Sequence, residues 1–450
     1  MKKEHVVFFF PWKEISGGPV YLSGLANTLA QQSEYAVGYV DYPKGVTDAM
    51  LCQEVERISY FEPFLFPHSD PLTLVIPIYC ASHIPTLHPD SKILFVNWHN
   101  YSIQALLDSW RLSPENLREF LLLVRKTDSV FFLDKTHWLA QNEWIQSENC
   151  SFKERYVPTM IAPKSVRSIG KMVRDKELHI GVLGRLCKDK IFSLLNLICQ
   201  LNDLKTDYEI HLHVIGEGSE AYQLQRIELR KNLYLHREGT ITGTDLSEFL
   251  AKRTDILFAM GLSVLEGAAI ALPSVVMPHN VKEFHLDAYA FLQDCQGYAL
   301  GWYDTQLKEL KIPIHPLEEI LHALYAPGGK QQIGMQAFEY LKKNHFDNRI
   351  SMMEALSATT LSAKDFSHFQ KRQGKIYFCK IPIARLESSF DESEKRISFL
   401  GIQNFCESKK ISNGHFFYLL GKQQKIFRAK KEDGHFRLYI GSKRVPFIKL

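Results

Sequence analysis

Two cations five residues apart are the first groups in this chain that could do chemistry. In HIGVLGRLCKDKI, residues 179–191, an apolar run ends at Gly184, and Arg185 and Lys190 follow around a turn that opens a helix. Arg185 can grip a phosphate through two parallel hydrogen bonds while Lys190 adds a compact charge, so the pair suits a diphosphate. The second chemical segment is TDILFAMGLSVLEGAAIALPSVVM, residues 254–277. Its pattern predicts a buried strand over 256–259, a glycine turn, a helix beginning at Ser263 with Glu266 in its first turn, and a strand over 274–277. Gly261 lets the backbone approach a ligand, and the first N–H groups of the helix lack intrahelical partners, which makes an anion site. Glu266 reads in two ways: as a carboxylate answering the helix dipole, or as an acceptor for hydroxyls of a sugar or ribose.

The elements that must position these groups repeat. Between the two segments, EIHLHVIGEGSE (209–220) is a strand running into a glycine turn at Gly216. A strand over 232–236 follows, then a turn at Gly239 and Thr240, then a helix that Thr244 or Asp245 can cap. Residues 179–278 are thus strand and helix repeated about four times, the pattern of a parallel doubly wound sheet, whose ligands sit beyond the carboxyl ends of its strands. The N-terminal half shows the same alternation, with strands expected over 5–10, 36–41, 72–79, 93–97 and 129–133 and helices over 103–125 and 135–146. Gly17 and Gly18 lie in a loop between the first strand and its helix. In FVNWHNYS (95–102), His99 follows a strand end, where it can accept a proton from a hydroxyl or hydrogen-bond a sugar; a histidine satisfied by loop backbone is the plainer reading. DKTHW (134–138) reads as a helix start capped by Asp134, and FEPFLFPHSDP (61–71) as an apolar loop.

The order V-L-G-R-L-x-x-x-K, V-I-G-E-G-S, a Gly/Thr turn, and L-E-G-A-A before L-P-S-V-V resembles the nucleotide-binding half of GT-B glycosyltransferases, family 4 of the retaining sugar transferases in particular. The resemblance covers roughly residues 5–350. It implies an α/β fold of two Rossmann-like domains facing a cleft, plus a small β-rich basic C-terminal module. It implies that Arg185 and Lys190 bind a donor diphosphate, that Glu266 holds the nucleotide ribose, and that Gly261 and Ser263 lie against the donor phosphates. Gly17, Gly18, Gly216, Gly239, Thr240 and Leu265 complete the expected donor site, and His99, Arg185 and Lys190 the expected catalytic set. The family carries two glutamates eight residues apart, and eight residues before Glu266 stands Phe258. Retention or inversion is therefore open; if the reaction inverts, His99 is the first choice of base. No D-x-D stands where a metal-dependent transferase would need it, so no metal and no cofactor is expected beyond the nucleotide-sugar substrate. A catalytically silent nucleotide-binding partner subunit, a nucleotide-sugar epimerase of the same fold, and a membrane-surface protein acting through its tail are the alternatives.

Composition frames this. A chain of 450 residues, 45% hydrophobic and 23% charged, is long enough for two or three globular domains. Domains are expected over 1–165, 166–360 and 365–450, with an interdomain linker over 156–177 and helices over 331–360 crossing back to the first half. The eight cysteines form no C-x-x-C pair, which suits free thiols in a reducing compartment and a cytoplasmic location. Residues 371–450 carry 18 Lys and Arg against 7 Asp and Glu, while the rest of the chain carries 36 against 43. This basic tail repeats aromatic–aliphatic strand units such as HFFYLLGKQQKIFRAKK and HFRLYIGSKRVPFIKL, and similar tails occur on bacterial transferases that build surface polysaccharide (lipopolysaccharide, O-antigen or capsule). The expected partners are a nucleotide-sugar and a glycan or lipid-linked acceptor; the tail reads either as docking to an anionic inner-membrane surface, at which the protein would be peripheral, or as a small β-rich accessory module with solvated lysines, and no stacking motif of a nucleic-acid binder is present.

Overall fold

The computed structural model describes residues 3–14, 16–67, 69–110, 114–142, 151–164 and 176–370, and beyond these the backbone of eight strands between 375 and 449. Two compact units divide the chain. One comprises Met1–Val130, Trp144–Lys153 and Ala355–Leu450, the other Phe131–Glu143 and Glu154–Glu354.

The first unit opens with β1 (Glu4–Phe9), α1 (Gly17–Ala30), β2 (Tyr35–Asp41), β3 (Glu56–Ser59), β4 (Thr73–Pro77) and β5 (Lys92–Asn97), then α2 (Ser102–Trp110), α3 (Pro114–Lys126) and β6 (Val130–Phe132). Its six strands lie in the order β3-β2-β1-β4-β5-β6. Val6, Val7 and Phe8 are wholly buried, as are Leu74, Val75 and Ile76 in β4. Such continuous apolar runs are what a parallel strand covered on both faces requires. Differences from expectation are local. β4 stops at Pro77, where the chain turns into a 3-10 turn over Ile78–His83. β3 was not expected, because ERIS buries only Ile58. The helix expected over 103–125 is carried by α2 and α3 on either side of residues 111–113, which lie outside the described residues; Pro114 opens α3, a position where its missing N–H costs nothing.

The second unit begins with α4 (Lys135–Asn142) and continues through β7 (Glu177–Leu183), α5 (Ile191–Asp203), β8 (Glu209–Ile215), β9 (Leu233–Gly239), α6 (Gly243–Arg253), β10 (Ile256–Ala259), α7 (Leu262–Ala268), β11 (Ser274–Val276) and β12 (Ala290–Phe291). Helices α8 (Leu307–Leu310), α9 (Leu317–Tyr325), α10 (Gly329–Asn344) and α11 (Arg349–Ala358) follow. The strand order is β12-β11-β10-β7-β8-β9, with β12 alone antiparallel at its edge. Two starts move. α7 begins at Leu262, so Glu266 lies beyond its first turn. α6 is entered from Thr242 through Gly243, whose φ of 61° turns the chain, so Thr244 and Asp245 sit inside the helix.

The boundaries between units also differ from the expected ones. Residues near 132–136 join the second unit: Phe132 N–H donates to Arg155 C=O, Lys135 N–H to Gly297 C=O, and Gln306 Nε2 to Thr136 C=O. The front of the expected linker is tied down, with Ile161 N–H on His345 C=O and Lys164 N–H on Ala269 C=O; residues 165–175 lie outside the described residues, as do residues 143–146 of the helix expected over 135–146. α10 packs on α7 and α9 within the second unit, and the return to the first is made further on, from Ala355. There Thr359 Oγ1 donates to Ile93 C=O, Ile93 N–H donates to Leu361 C=O, and α12 (Ala363–Gln370) sets Phe366 against Phe95 and Phe120.

The basic tail is β-rich, as its repeats suggested. β13 (Lys375–Phe378), β14 (Ile381–Ser388), β15 (Glu394–Phe399), β16 (Ile402–Ile411), β17 (Gly414–Leu419), β18 (Lys425–Glu432), β19 (His435–Ile440) and β20 (Lys443–Lys449) form one antiparallel sheet in chain order. No helix among the described residues is long and apolar enough to cross a membrane.

Candidate functional site

In the second unit the carboxyl ends of β7, β8, β9 and β10 hold the expected donor residues. β7 ends at Leu183, beside Ala259 of β10, so the turns carrying Arg185 and Gly261 start from neighbouring strands about 4.8 Å apart. Backbone bonds zip the turns of β7, β8 and β9 together: Gly184 N–H to Ile215 C=O, Leu186 N–H to Glu217 C=O, Gly216 N–H to Gly239 C=O. Gly216 has φ of 135°, and a Cβ there would meet Gly184 O at 2.1 Å. Only glycine allows these two turns to touch.

Arg185 is exposed, and its guanidinium makes no ion pair among the described residues. Lys190 stands at the N-terminus of α5 with its side chain folded over Gly184, its Nζ 3.8 Å from where a Cβ of Gly184 would be. Burial pulls the Lys190 pKa below the usual lysine value, against Asp189 and Cys187, which hold it up; Arg185 adds a further lowering. Burial drives Asp189 the other way, but hydrogen bonds from the Cys187 thiol and its own backbone, with Lys190 and His279, bring its carboxyl below the ordinary range. The Cys187 thiol is pushed up to about 11 by burial and by Asp189. The turn is thus a cationic rim over a satisfied acid.

Gly261 caps α7 with φ of 62°, and a Cβ there would meet nothing within 4 Å. The main chain is open to a ligand at this point. Ser263 is half-buried two residues further on, whereas the Leu265 side chain is wholly buried in the core, so Leu265 can serve a ligand only through its backbone. Thr240 Oγ1 donates to Glu217 Oε2 at 3.2 Å, close to Gly239. Glu266 is engaged: Lys164 Nζ lies 2.6 Å from its Oε2 and also donates to Ser247 Oγ at 2.7 Å.

Phe258 is not at the site. It is wholly buried in β10, edge-on to Tyr289 at 5.3 Å. The connection from β10 to α7 is only Met260 and Gly261, so counting eight residues back from Glu266 leaves the loop and enters the core. His279 and Tyr303, which sequence reasoning missed, stand nearby: His279 lies 3.3 Å from Met260 Sδ by its Nδ1, acts electrostatically on Asp189, and packs edge-on against Tyr303 at 4.8 Å. A histidine just after the P-S-V-V-M-P strand was the available signal.

In the first unit, Gly18 marks a close packing. A Cβ there would sit 3.1 Å from the Trp98 ring and 3.2 Å from that of Phe10, whereas a Cβ at Gly17 would meet nothing within 4 Å. Trp98 is ringed edge-on by Phe10, Tyr21 and Tyr79, and Phe10 stacks on Trp12 at 5.3 Å. His99, next to Trp98, is exposed; its N–H reaches Asn97 Oδ1 at 3.4 Å and its C=O accepts from Ser102 N–H. In the second unit, the Asp134 reading is plain: one carboxylate oxygen accepts from Thr136 Oγ1 at 2.6 Å, His137 N–H at 3.0 Å and His137 Nδ1 at 2.6 Å, capping α4. Burial raises the Asp134 pKa, and these partners more than reverse it. In the apolar loop, Phe64 packs on Phe9 and Tyr60 while Phe61 and Leu65 are exposed.

Among solved structures, the chain is similar to the apo form of the lipopolysaccharide outer core galactosyltransferase WaaB, at 11% identity over 79% of this chain and 99% of that one, with a TM-score of 0.50. It is similar to Anabaena HepE in complex with UDP and glucose, at 14% identity over 79% and 100%, TM-score 0.50. A trehalose-6-phosphate synthase, studied with bisubstrate glycomimetics, matches at 14% identity over 80% and 100%, TM-score 0.50. No family model and no curated protein sequence matches the chain. What these likenesses share with the chain is the GT-B fold, two parallel-sheet α/β units of Rossmann type.

Proposed function

We propose that this protein is a glycosyltransferase that moves a sugar from a nucleotide-sugar to a hydroxyl of a glycan or lipid-linked acceptor, in the synthesis of a surface polysaccharide. One observation carries the reading: exposed Arg185, Lys190 folded over Gly184, and the open backbone at Gly261 stand on neighbouring strand ends. As the glycosidic bond breaks, the leaving diphosphate gains negative charge. Groups fixed in advance to receive that charge lower the barrier most. Arg185 and Lys190 are those receiving groups, the backbone near Gly261 and Ser263 lies against the phosphates, and Glu266 holds the ribose through the oxygen that Lys164 leaves free. His99 is assigned to the acceptor side of the reaction.

The test is a titration of the purified chain with UDP-, GDP- and CMP-linked sugars, repeated with Arg185→Ala and Glu266→Ala. Selective micromolar binding lost in both variants supports the donor site; no binding by a folded chain overturns it. A second reading, a catalytically silent nucleotide-binding subunit, is favoured by the lack of a carboxylate in the two-residue connection before α7. Binding without sugar transfer, to any acceptor hydroxyl or to water, would decide for it. The tail, with 18 basic against 7 acidic residues, is assigned to docking at an anionic inner-membrane surface from the cytoplasm. Loss of co-sedimentation with anionic vesicles on deleting residues 371–450 is the corresponding check.

A further inference from the structure

Apart from the donor residues, the second unit carries an open cavity of about 730 Å³, a size usual for ligand sites. One wall is the loop after β12, which gives Gln293, Gln296 and Tyr298; the other is α10, which gives Gln336, Tyr340 and Asn344. The three α10 residues recur every four positions and so form one stripe of the helix, while Ile333, Ala337 and Leu341 form a buried stripe beside it. We propose that this cavity binds a neutral sugar unit of a glycan, at a site separate from that of the nucleotide-sugar.

The lining decides the class of ligand. Gln293, Gln296, Gln336 and Asn344 are amides, and each offers both donors and an acceptor. A sugar hydroxyl likewise donates and accepts, so neighbouring hydroxyls can be matched group by group, while the C–H face of the sugar packs on a tyrosine ring. A phosphate would need a cluster of cations. The charges on the lining, Glu339 and Lys343, are of opposite sign and one helical turn apart. A lipid chain would need a mostly apolar wall. The hydrogen bonds leave capacity to spare. Gln293 Nε2 donates to Gln336 Oε1 at 3.3 Å, and Asn344 Nδ2 to Tyr340 C=O at 3.0 Å. Gln293 Oε1 is buried without a partner, so the amide pair gains a bond when a hydroxyl enters beside Gln336 and the Gln293 amide turns to it.

The backbone at Tyr298 is a second, independent sign. Gly297 and Tyr298 both have φ of 61°, and Ala299 N–H donates to Gln296 C=O at 3.2 Å across them. A turn with two left-handed residues is filled without strain by glycine, asparagine or aspartate. A tyrosine in its second place is strained, and strain of this kind gathers at functional sites. The turn sets the Tyr298 ring edge-on to both Tyr156 and His345, at 6.0 Å from each, and Tyr340 lies 5.6 Å from the same histidine. Two residues past Tyr298, Leu300 C=O accepts from Gly261 N–H at 2.6 Å, so the loop that lines the cavity also braces the donor turn. The inference does not rest on the transfer reading, because it concerns glycan binding without nucleotide.

The test uses the full chain, free of nucleotide, titrated with short neutral oligomers of glucose, galactose, mannose and N-acetylglucosamine and followed by saturation-transfer NMR. At least one oligomer should bind at millimolar concentration or below. Gln336→Ala and Asn344→Ala, both on the exposed stripe of α10, should each weaken it by about 3–10-fold. Tyr298→Asn, which the turn accepts, should weaken it at least as much. Arg185→Ala should leave oligomer binding unchanged, and the three cavity variants should leave nucleotide binding unchanged, so the two sites fail separately. Thermal melts of the variants at the native temperature would show that their folds are intact. The proposal falls if no oligomer binds the folded chain at millimolar concentration, or if the cavity variants bind as the native chain does. Loss of oligomer binding in Arg185→Ala would place the sugar at the donor residues and overturn it as well.

Discussion

Lys164 Nζ lies 2.6 Å from Glu266 Oε2 across 102 residues of sequence, and the same ammonium donates to Ser247 Oγ. The pair is partly exposed, at 31% and 21% of the side-chain surfaces, so its direct worth to stability is under about 1 kcal/mol. Its effect is to hold one carboxylate oxygen and leave the other aimed. Lys164→Met should leave the melting temperature within about 2 °C, yet weaken nucleotide binding by about tenfold as the carboxylate loses its fixed orientation. Calorimetric titration beside a thermal melt checks both halves.

Arg185 and Lys190 should respond differently to conservative change. Arg185→Lys should weaken nucleoside diphosphate binding by about 1–2 kcal/mol, because a point charge cannot reproduce a two-bond grip. Burial holds the Lys190 pKa below that of an ordinary lysine, so the ammonium is lost earlier as pH rises. Diphosphate affinity should fall with rising alkaline pH, and Lys190→Met should remove that slope along with much of the affinity. A Kd series from pH 7 to pH 10 reads it.

Gly216 and Gly261 should separate folding from binding. Gly216→Ala drives a Cβ to 2.1 Å from Gly184 O and should cost roughly 2–4 kcal/mol of stability. At Gly261 the Cβ meets nothing, and the strain of φ 62° with ψ −147°, a conformation left almost wholly to glycine, costs on the order of 1–3 kcal/mol. Gly261→Ala should therefore fold and lose ligand, because the added methyl fills the space the ligand needs. Denaturant melts and nucleotide titrations of the two variants would show the opposite pattern if the assignment were wrong.

How much of this was legible in the sequence depends on the range of the interaction. Strands such as β1 and β10 were readable because both faces are buried, which leaves an unbroken apolar run. β3 was not, since only Ile58 of its four residues is buried. Lys164 was hidden in a stretch that reads as linker, because its partners Ser247 and Glu266 are supplied by distant helices. Counting residues failed at Phe258, since spacing along a chain carries over only while loop length does. The amides of Gln293 and Gln336 escaped because no local motif joins them; the fold alone sets the loop after β12 against α10.

His345 gives a pH-dependent stability. It is buried, and burial lowers its pKa to about 4, opposed by its bond to Thr159 C=O and by Asp134. A histidine in the unfolded chain titrates near 6.5, so between these values the unfolded state binds the proton and the folded state does not. Stability is full above about pH 6.5 and falls as pH drops toward 4, by on the order of 3 kcal/mol over that window. Denaturant melts of the native chain and His345→Gln should converge at low pH, the variant lacking this part of the slope.

The return of the chain to its first unit sets an order of assembly. Ile93 and Ser129 complete their hydrogen bonding with residues 359–361, and Phe95 and Phe120 meet Phe366 once α12 has been made. On a ribosome, the unit that begins first is therefore completed second: residues 154–354 hold all that the other unit requires after residue 143. Early synthesis leaves the start of β5 at Ile93, and the Phe120 face of α3, waiting for more than two hundred residues. A chaperone that covers them through that interval would serve this chain more than one acting at its end, where each strand of the tail pairs with the strand made just before it.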